Sequence, residues 1–385
     1  MIKTTPFEMV FIIRDSMAKY LKKKKRRPLL IVLLCIVLLF ALLIGAVFAF
    51  VWSKLDKITY ADEIEDSYLA TVSFDREVDS NEVIAPENDP DEDFVIEIEG
   101  LDTHAEPPTV PDTEVQTDQN VLNILLIGTD ERTTKYSKNA RADSMILVSI
   151  NKNLQTVRLV SLERGIGVPI LEGELEGQYD LLTHIFRWGG ADLLIKTVEH
   201  CFKVDVNHYV RVNFAAVEKI VDTIGGINIE MSAKEAEGIN LWTPEGKPKV
   251  QAGLNRVNGE TALSFARLRW IDSDWQRVGR QRKVILAVVD ELKHSDLKEL
   301  NDLADTVLPL VQTNLTKMEI AELILYAPNF LRSQFDQMTI PKQGTYGGMG
   351  IRNGGGAFAV DYEINNDLLY RFLYEGATSE ELLAE

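Results

Sequence analysis

The chain has 385 residues, a formal net charge of −18, 45% hydrophobic residues and two cysteines. That length accommodates one or two globular domains plus additional segments. The acidic balance argues against non-specific nucleic-acid binding, because phosphate backbones attract basic surfaces.

The charge is unevenly laid out. Lys22, Lys23, Lys24, Lys25, Arg26 and Arg27 stand directly before an unbroken apolar run over 29–52. At the helical rise, roughly 24 residues reach about 36 Å, enough to cross a bilayer core. Segments retained in the cytoplasm carry such positive charge. Residues 1–27 therefore read as a cytoplasmic basic tail, 28–53 as a transmembrane anchor in the lipid bilayer, and everything beyond as extracytoplasmic. A cleaved signal peptide is the competing reading, but the run is too long and no small-residue cleavage site follows it. The expected localisation is the cell membrane, single-pass, with the amino terminus inside.

Residues 54–120 read as an acidic linker. They hold the run Glu87-Asn88-Asp89-Pro90-Asp91-Glu92-Asp93 and prolines at 107, 108 and 111, so they have little apolar surface to bury. Alternation over 94–98 allows one short edge strand.

A folded domain is expected over 121–385. The apolar run 121–127 ends in Gly128-Thr129-Asp130, as a buried strand entering a loop does. Strands follow at 144–150 and 156–162, separated by the turn signal Asn151-Lys152-Asn153. Helical periodicity appears near 191–202, 214–224 and 275–293. The alternation of strands and helices predicts an α/β fold, a layered α-β-α domain with a mixed central sheet. Cys35 lies in the apolar span. Cys201 falls in phase with Leu194 and Val198, so it reads as a small buried apolar residue and not as a reactive thiol.

The hairpin carries a geometric consequence. Antiparallel pairing puts the start of 144–150 beside the end of 156–162. Arg141 and Asp143 flank that start, and Arg164 flanks that end. If 121–127 joins antiparallel to 144–150, Asp130 arrives at the same rim. Any one of these residues is more readily a loop ion pair, but four at one edge suggest a site. A second basic group comprises Arg267, Arg269, Arg277, Arg280 and Arg282, with Gln281 among them. Arg267 and Arg269 alternate in a strand-like run over 262–270 and so share a face. Asp272, Ser273 or Asp274 can cap the next helix. On that helix Arg277, Arg280 and Gln281 extend the apolar stripe of Val284, Ala287 and Val288, so their end of the stripe should line a cavity.

Arginine suits phosphate because its planar fork bonds bidentately and keeps its charge when desolvated. Carboxylates would repel phosphate unless a divalent cation bridges them, and oxygen ligands at a phosphate site favour Mg²⁺ (or Mn²⁺). Asp130 and Asp143 with the arginines thus imply a metal–pyrophosphate site. No P-loop, zinc motif or Ser/His/Asp signature is present, and His184 reads as structural.

These residues resemble the LytR–CpsA–Psr family of cell-wall glycopolymer ligases. The resemblance runs through Ile124-Leu125-Leu126-Ile127-Gly128-Thr129-Asp130, Arg141-Ala142-Asp143-Ser144, Ser161-Leu162-Glu163-Arg164 and His184-Ile185-Phe186-Arg187-Trp188-Gly189-Gly190. It continues through Val221 to Gly226, Gly259 to Leu263, Ala266-Arg267-Leu268-Arg269 and Arg277-Val278-Gly279-Arg280-Gln281. Each piece alone is weak, but in this order over one domain they are specific. The resemblance implies a polyprenyl-pyrophosphate-linked glycopolymer donor, Mg²⁺, and peptidoglycan as acceptor. It implies Asp130 and Asp143 as metal ligands and Arg141 orienting Asp143. Arg164, Arg267, Arg269, Arg277 and Gln281 would contact pyrophosphate, and an apolar tunnel between sheet and helices would take the lipid. The chain departs from the family at Gly165, usually acidic, and at Leu181, often lysine. A pyrophosphate-lipid hydrolase and a non-catalytic lipid-binding protein are the alternative readings.

Overall fold

The structure, a computed structural model, describes Phe50 and residues 52–60, 105–131, 140–295, 297–330, 332–352 and 354–385. The chain divides into two compact units, Met1–Asp56 and Lys57–Glu385. Among the described residues no helix is long and apolar enough to cross a membrane. Most of the anchor expected at 28–53 lies outside the described residues, as do 61–104 of the expected linker.

In the larger unit, β1 (Thr59–Tyr60) is followed by β2 (Val121–Thr129), β3 (Ala142–Asn151) and β4 (Thr156–Leu162). The short pair β5 (Gly167–Pro169) and β6 (Tyr179–Leu181) leads into α1 (Leu182–Phe202). Then come β7 (His208–Asn213), α2 (Phe214–Thr223), β8 (Ile227–Met231), α3 (Ala233–Asn240) and β9 (Gly253–Val257). Helices α4 (Gly259–Arg267), α5 (Asp274–His294) and α6 (Leu297–Val307) precede β10 (Gln312–Thr313) and α7 (Lys317–Phe330). The chain closes with β11 (Gln334–Ile340), the hairpin β12 (Tyr346–Gly350) and β13 (Gly356–Val360), then α8 (Tyr362–Tyr370) and α9 (Ser379–Ala384).

The main sheet has the order β1-β10-β7-β2-β3-β4-β11. It is mixed: β7 runs parallel to β2, β2–β3–β4 form an antiparallel meander, and β11 closes parallel to β4. Two parts of the stretch read as linker belong to this unit. Thr59–Tyr60 pairs with β10, and Gln116 bridges to Val204 and accepts a hydrogen bond from Tyr374 Oη.

Two helical layers sandwich the sheet. On one face Leu125, Ile127, Met145, Leu147, Val160 and Leu162 pack with Ile185, Phe186, Val198 and Phe202 of α1 and Leu369 of α8, all buried. Ser161 points to the opposite face, as period-2 alternation requires, and there it receives Arg282 of α5. A second core joins Val221, Ile229, Val257 and Phe265 with Val284 of α5.

The two faces of the central strands are not equally covered. On the face away from α1, Leu122, Leu126, Val148, Val210 and Val212 are only half-buried. Pairing of Ile124 with Val148, Leu126 with Val210 and Gly128 with Val212 puts them on one continuous apolar strip.

The helix α1 is longer than its periodicity suggests. Gly189 and Gly190 break its dihedrals, with Gly190 at φ 65°, a conformation that favours glycine. The segment before the break, 182–188, was not legible as helix because the kink disrupts the apolar phase. The run over 262–270, expected as a strand, is instead α4 and its exit. Asn258 caps it, its side chain accepting from the Thr261 N–H, and Ala262, Phe265 and Ala266 form the buried stripe.

Gly128 sits opposite Ser144, and a Cβ there would meet the Ser144 Cβ at 2.9 Å. Neither atom can swing away. Gly128→Ala is expected to destabilise the protein by about 1–3 kcal/mol, read as a lower urea midpoint at unchanged slope. An unchanged midpoint would show that β2 and β3 separate here without cost.

Candidate functional site

The site begins with an irregularity in the β2–β3 ladder. Gly128 pairs with Ser144, yet the next pair is Thr129 with Ala142, so Asp143 is an extra residue on β3. Such a bulge bends the strand and re-aims a side chain, and bulges concentrate at sheet rims and beside functional sites. Here it leaves Asp143 buried at the rim, where it meets Arg164 from the end of β4, with Nη1 3.4 Å from Asp143 Oδ1.

Arg164 and Arg277 converge on a third residue, Asp274. Arg164 donates Nε and Nη2 to it, both at 3.2 Å, and Arg277 donates Nε at 2.7 Å and Nη2 at 3.0 Å. One carboxylate therefore accepts two bidentate forks, the strongest geometry for such pairs. Arg277 also donates Nη1 to the Asp143 carbonyl at 3.1 Å. Burial opposes charge on Asp274, but Arg277 and Arg164 outweigh it and hold the carboxyl well below its usual range. Its place in the first turn of α5 adds to this, since helix amino ends favour negative charge. Arg164 is pushed down by burial and then by Arg277. Burial acts the same way on Arg277, but Asp274 reverses the sign.

Asp130, just past β2, accepts from the Arg141 backbone N–H at 3.1 Å and from Arg141 Nε at 3.2 Å. Burial raises the Asp130 carboxyl above its ordinary value, and Asp143 raises it further, so the two carboxylates feel one another. Among the described residues no three His, Cys, Asp or Glu side chains gather as a metal cluster.

Asp130, Arg141, Asp143 and Arg164 thus stand together, as hairpin pairing and strand ends predict, and Arg277 joins them from α5. The contact shown for Arg141 is with Asp130, beside the Asp143 that it was expected to orient. Arg141 holds Asp130, and Asp143 is held by Arg164 and, through its carbonyl, by Arg277.

Arg267 does not share a strand face with Arg269. It ends α4 and stacks over the Phe214 ring at 4.6 Å, whereas Arg269 lies beyond Leu268 in the following loop. Phe214 follows Asn213, which pairs with Thr129, so Arg267 still reaches the rim where Asp130 begins. Gln281 lies one turn beyond Arg277, and its Oε1 is buried with no hydrogen-bond partner. Arg280 leaves the expected cavity stripe. It binds Asp272 and the Leu268 carbonyl and locks the turn between α4 and α5. Arg282 is buried against Ser161, Thr339 and Gln337.

Sequence reasoning treated Asp274 only as one possible cap and passed over Asp180. Asp180 is 1% exposed and accepts from the Leu181 N–H at 2.8 Å and Trp188 Nε1 at 3.0 Å, with His184 Nδ1 at 2.8 Å. This network fixes the first segment of α1. Arg187 on that segment feels Arg141 and Asp130, after burial, which is the main cause of its lowered value. The Thr183 N–H bonds the Arg164 carbonyl at 3.2 Å, which ties the segment to the other half of the site.

The LytR_cpsA_psr family model matches residues 93–368. The chain is 31% identical over 233 residues to a Bacillus cereus polyisoprenyl-teichoic acid–peptidoglycan teichoic acid transferase TagU, covering 60% of this chain and 72% of the relative. It is 31% identical over 223 residues to TagT of Bacillus subtilis, of the same description, covering 57% and 67%. A solved structure described as TagT bound to LIIa-WTA superposes with a TM-score of 0.55 at 26% identity, over 70% of this chain and 96% of that one.

Asp274→Asn is expected to lower stability near neutral pH by about 3–5 kcal/mol, because it leaves two buried arginines undercompensated. The Asp274 carboxyl is depressed in the fold, so its contribution is complete above its unfolded value of about 3.9 and fades as pH falls below that. The gap between wild type and variant in urea unfolding should therefore narrow in acid. A gap independent of pH would show that the charge of Asp274 is not what stabilises.

Proposed function

Since the chain belongs to the LytR_cpsA_psr family, we propose that it moves a teichoic-acid-type glycopolymer from a polyprenyl-pyrophosphate carrier onto peptidoglycan. The observation that carries this reading is the bulged Asp143, held between Arg164 and Arg277, with Asp130 and Arg141 beside it. The half-buried strip of Leu126, Val148, Val210 and Val212 supports a lipid-linked substrate, because central strands ordinarily bury both faces and an apolar chain could complete this one.

In the proposed reaction an acceptor sugar hydroxyl attacks the phosphorus nearest the polymer. A new P–O bond forms to the acceptor, the bond to the bridging oxygen breaks, and polyprenyl monophosphate leaves. Arg164, Arg277, Arg267 and Gln281 bind and orient the pyrophosphate, and arginine charge offsets what builds on its oxygens. Asp130 or Asp143 takes the hydroxyl proton.

The residues present fit a divalent cation. Two carboxylates that repel one another, with no third acidic, His or Cys ligand among the described residues, match the preference of Mg²⁺ for one or two carboxylates plus phosphate oxygens. When bound by Asp130 and Asp143, such an ion would neutralise both carboxylates and polarise the phosphorus. We further place the chain in the cell membrane as a single-pass protein, with the catalytic unit outside. The basic run before residues 29–52 supports this topology.

The test is transfer of labelled glycopolymer from its lipid carrier to peptidoglycan fragments by the full chain in detergent. Asp143→Ala should lower the rate by on the order of 100-fold or more, and excess chelator should abolish turnover. Full activity in chelator would remove the cation, and full activity of the variant would place the chemistry elsewhere.

A further inference from the structure

Glu163, between β4 and Arg164, has no exposed surface. Neither of its carboxyl oxygens accepts a hydrogen bond, although arginines surround it. Those arginines are turned to other partners. Arg164 and Arg277 direct their forks to Asp274 and Asp143, and Arg282 faces Ser161, Thr339 and Gln337. The loop cannot move aside to find water. The Glu163 N–H bonds the Ile340 carbonyl at 2.9 Å, its own carbonyl accepts from the Ile166 N–H at 3.2 Å, and Gly165 is clamped by the Phe358 N–H at 2.9 Å. An ionised carboxylate buried without a donor is strongly disfavoured.

The Glu163 carboxyl lies within hydrogen-bonding reach of Asp274. Two ionised carboxylates have only acceptors and cannot bond one another, so a bond between them requires one proton. Asp274 accepts four N–H groups from two arginines, which fixes it as the ionised member. The proton belongs to Glu163.

We propose that Glu163 is a positioning residue that works as a neutral acid: it donates its proton to Asp274, steadies the carboxylate that aligns Arg164 and Arg277, and keeps this cluster net positive beside a pyrophosphate. The inference rests on the proposed reading of the site as a pyrophosphate site. The charge count gives the reason. Arg164, Arg277 and Arg282 exceed Asp143 and Asp274 by one positive charge, and an ionised Glu163 would cancel that excess beside an anionic substrate. The other groups that face it are Arg282 from α5 and Tyr346 from β12. Burial, and then the charge of Asp274, raise the Glu163 carboxyl well above its ordinary range, and Arg277 and Arg164 oppose this in part.

Two measurements on the full chain in detergent separate the protonation from the binding role. The first is the infrared carbonyl band of a protonated carboxyl, compared between wild type and Glu163→Gln at neutral pH. A band present in wild type and missing in the variant supports the proposal, and no difference overturns it whatever the protein binds. The second is the affinity for inorganic pyrophosphate against pH. Wild-type affinity should fall in the alkaline range by up to about tenfold per pH unit as one proton is lost. Glu163→Gln, which keeps a donor and cannot ionise, should retain neutral-pH affinity and lose that alkaline fall. Glu163→Ala should bind more weakly at every pH, with a thermal melt to confirm folding. A Glu163→Gln variant with the same alkaline fall as wild type overturns the positioning role. A protonated Glu163 with no pyrophosphate binding at any pH overturns the reading of the site and leaves the infrared result standing.

Discussion

The arrangement depends on one carboxylate, Asp274, accepting two guanidinium forks at once. Arg164 and Arg277 are like charges with almost no exposed surface, and each makes the other harder to keep ionised. Without Asp274 the pair could not remain buried side by side. With it, a strand end from the meander and the first turns of α5 are fastened together. Asp143 completes the junction from a third direction, its carboxylate on Arg164 and its carbonyl on Arg277. The bulge at Asp143 makes that possible, because a regular ladder would not supply the extra residue. Local backbone irregularity, buried charge and helix placement therefore depend on one another here.

The sheet adds a second property. Its α1 face is closed by large apolar side chains, whereas the opposite face leaves Leu126, Val148, Val210 and Val212 incompletely covered. The charged cluster stands at the rim where β2 and β7 end, which is also where this strip ends. An amphiphile with an anionic head and an apolar tail matches that layout: the head meets arginine at the rim and the tail lies along the strip. A free nucleotide or sugar phosphate would leave the strip unfilled. On the proposed function, this strip is where the fold would meet a polyisoprenyl-linked substrate.

Much of this was legible in sequence, and for identifiable reasons. The meander was readable because three apolar runs are separated by turn signals, and antiparallel pairing alone brings Asp130, Arg141, Asp143 and Arg164 to one rim. Register within the rim was not readable, since nothing in Arg141-Ala142-Asp143 announces a bulge, so the Arg141–Asp130 pairing was not foreseen. Residues 262–270 were misread because alternation of Arg267 and Arg269 resembles strand spacing, while the capping Asn258 was overlooked. Asp274 was hidden by its dual character: an acid in a first helical turn is so ordinary a feature that its service to two arginines shows only in three dimensions. Glu163 carried no signal, because a glutamate between a strand and an arginine reads as solvent-facing.

The two halves of the rim differ in a way that bears on the proposed transfer. The side chains of Arg164, Arg277 and Asp143 are 4%, 5% and 7% exposed, whereas those of Arg141 and Asp130 are 19% and 24% exposed. Bidentate forks on Asp274 fix Arg164 and Arg277 in the first group, whereas in the second Arg141 and Asp130 are joined to one another. A rigid, desolvated half suits the substrate group whose position must not vary, the pyrophosphate, because preorganised charge stabilises a developing anion without reorganising. The wetter half suits the partner that arrives from outside, an acceptor hydroxyl on a large polymer. On this division Asp130 is the better placed of the two carboxylates to meet the acceptor, and Asp143 the better placed to hold the donor.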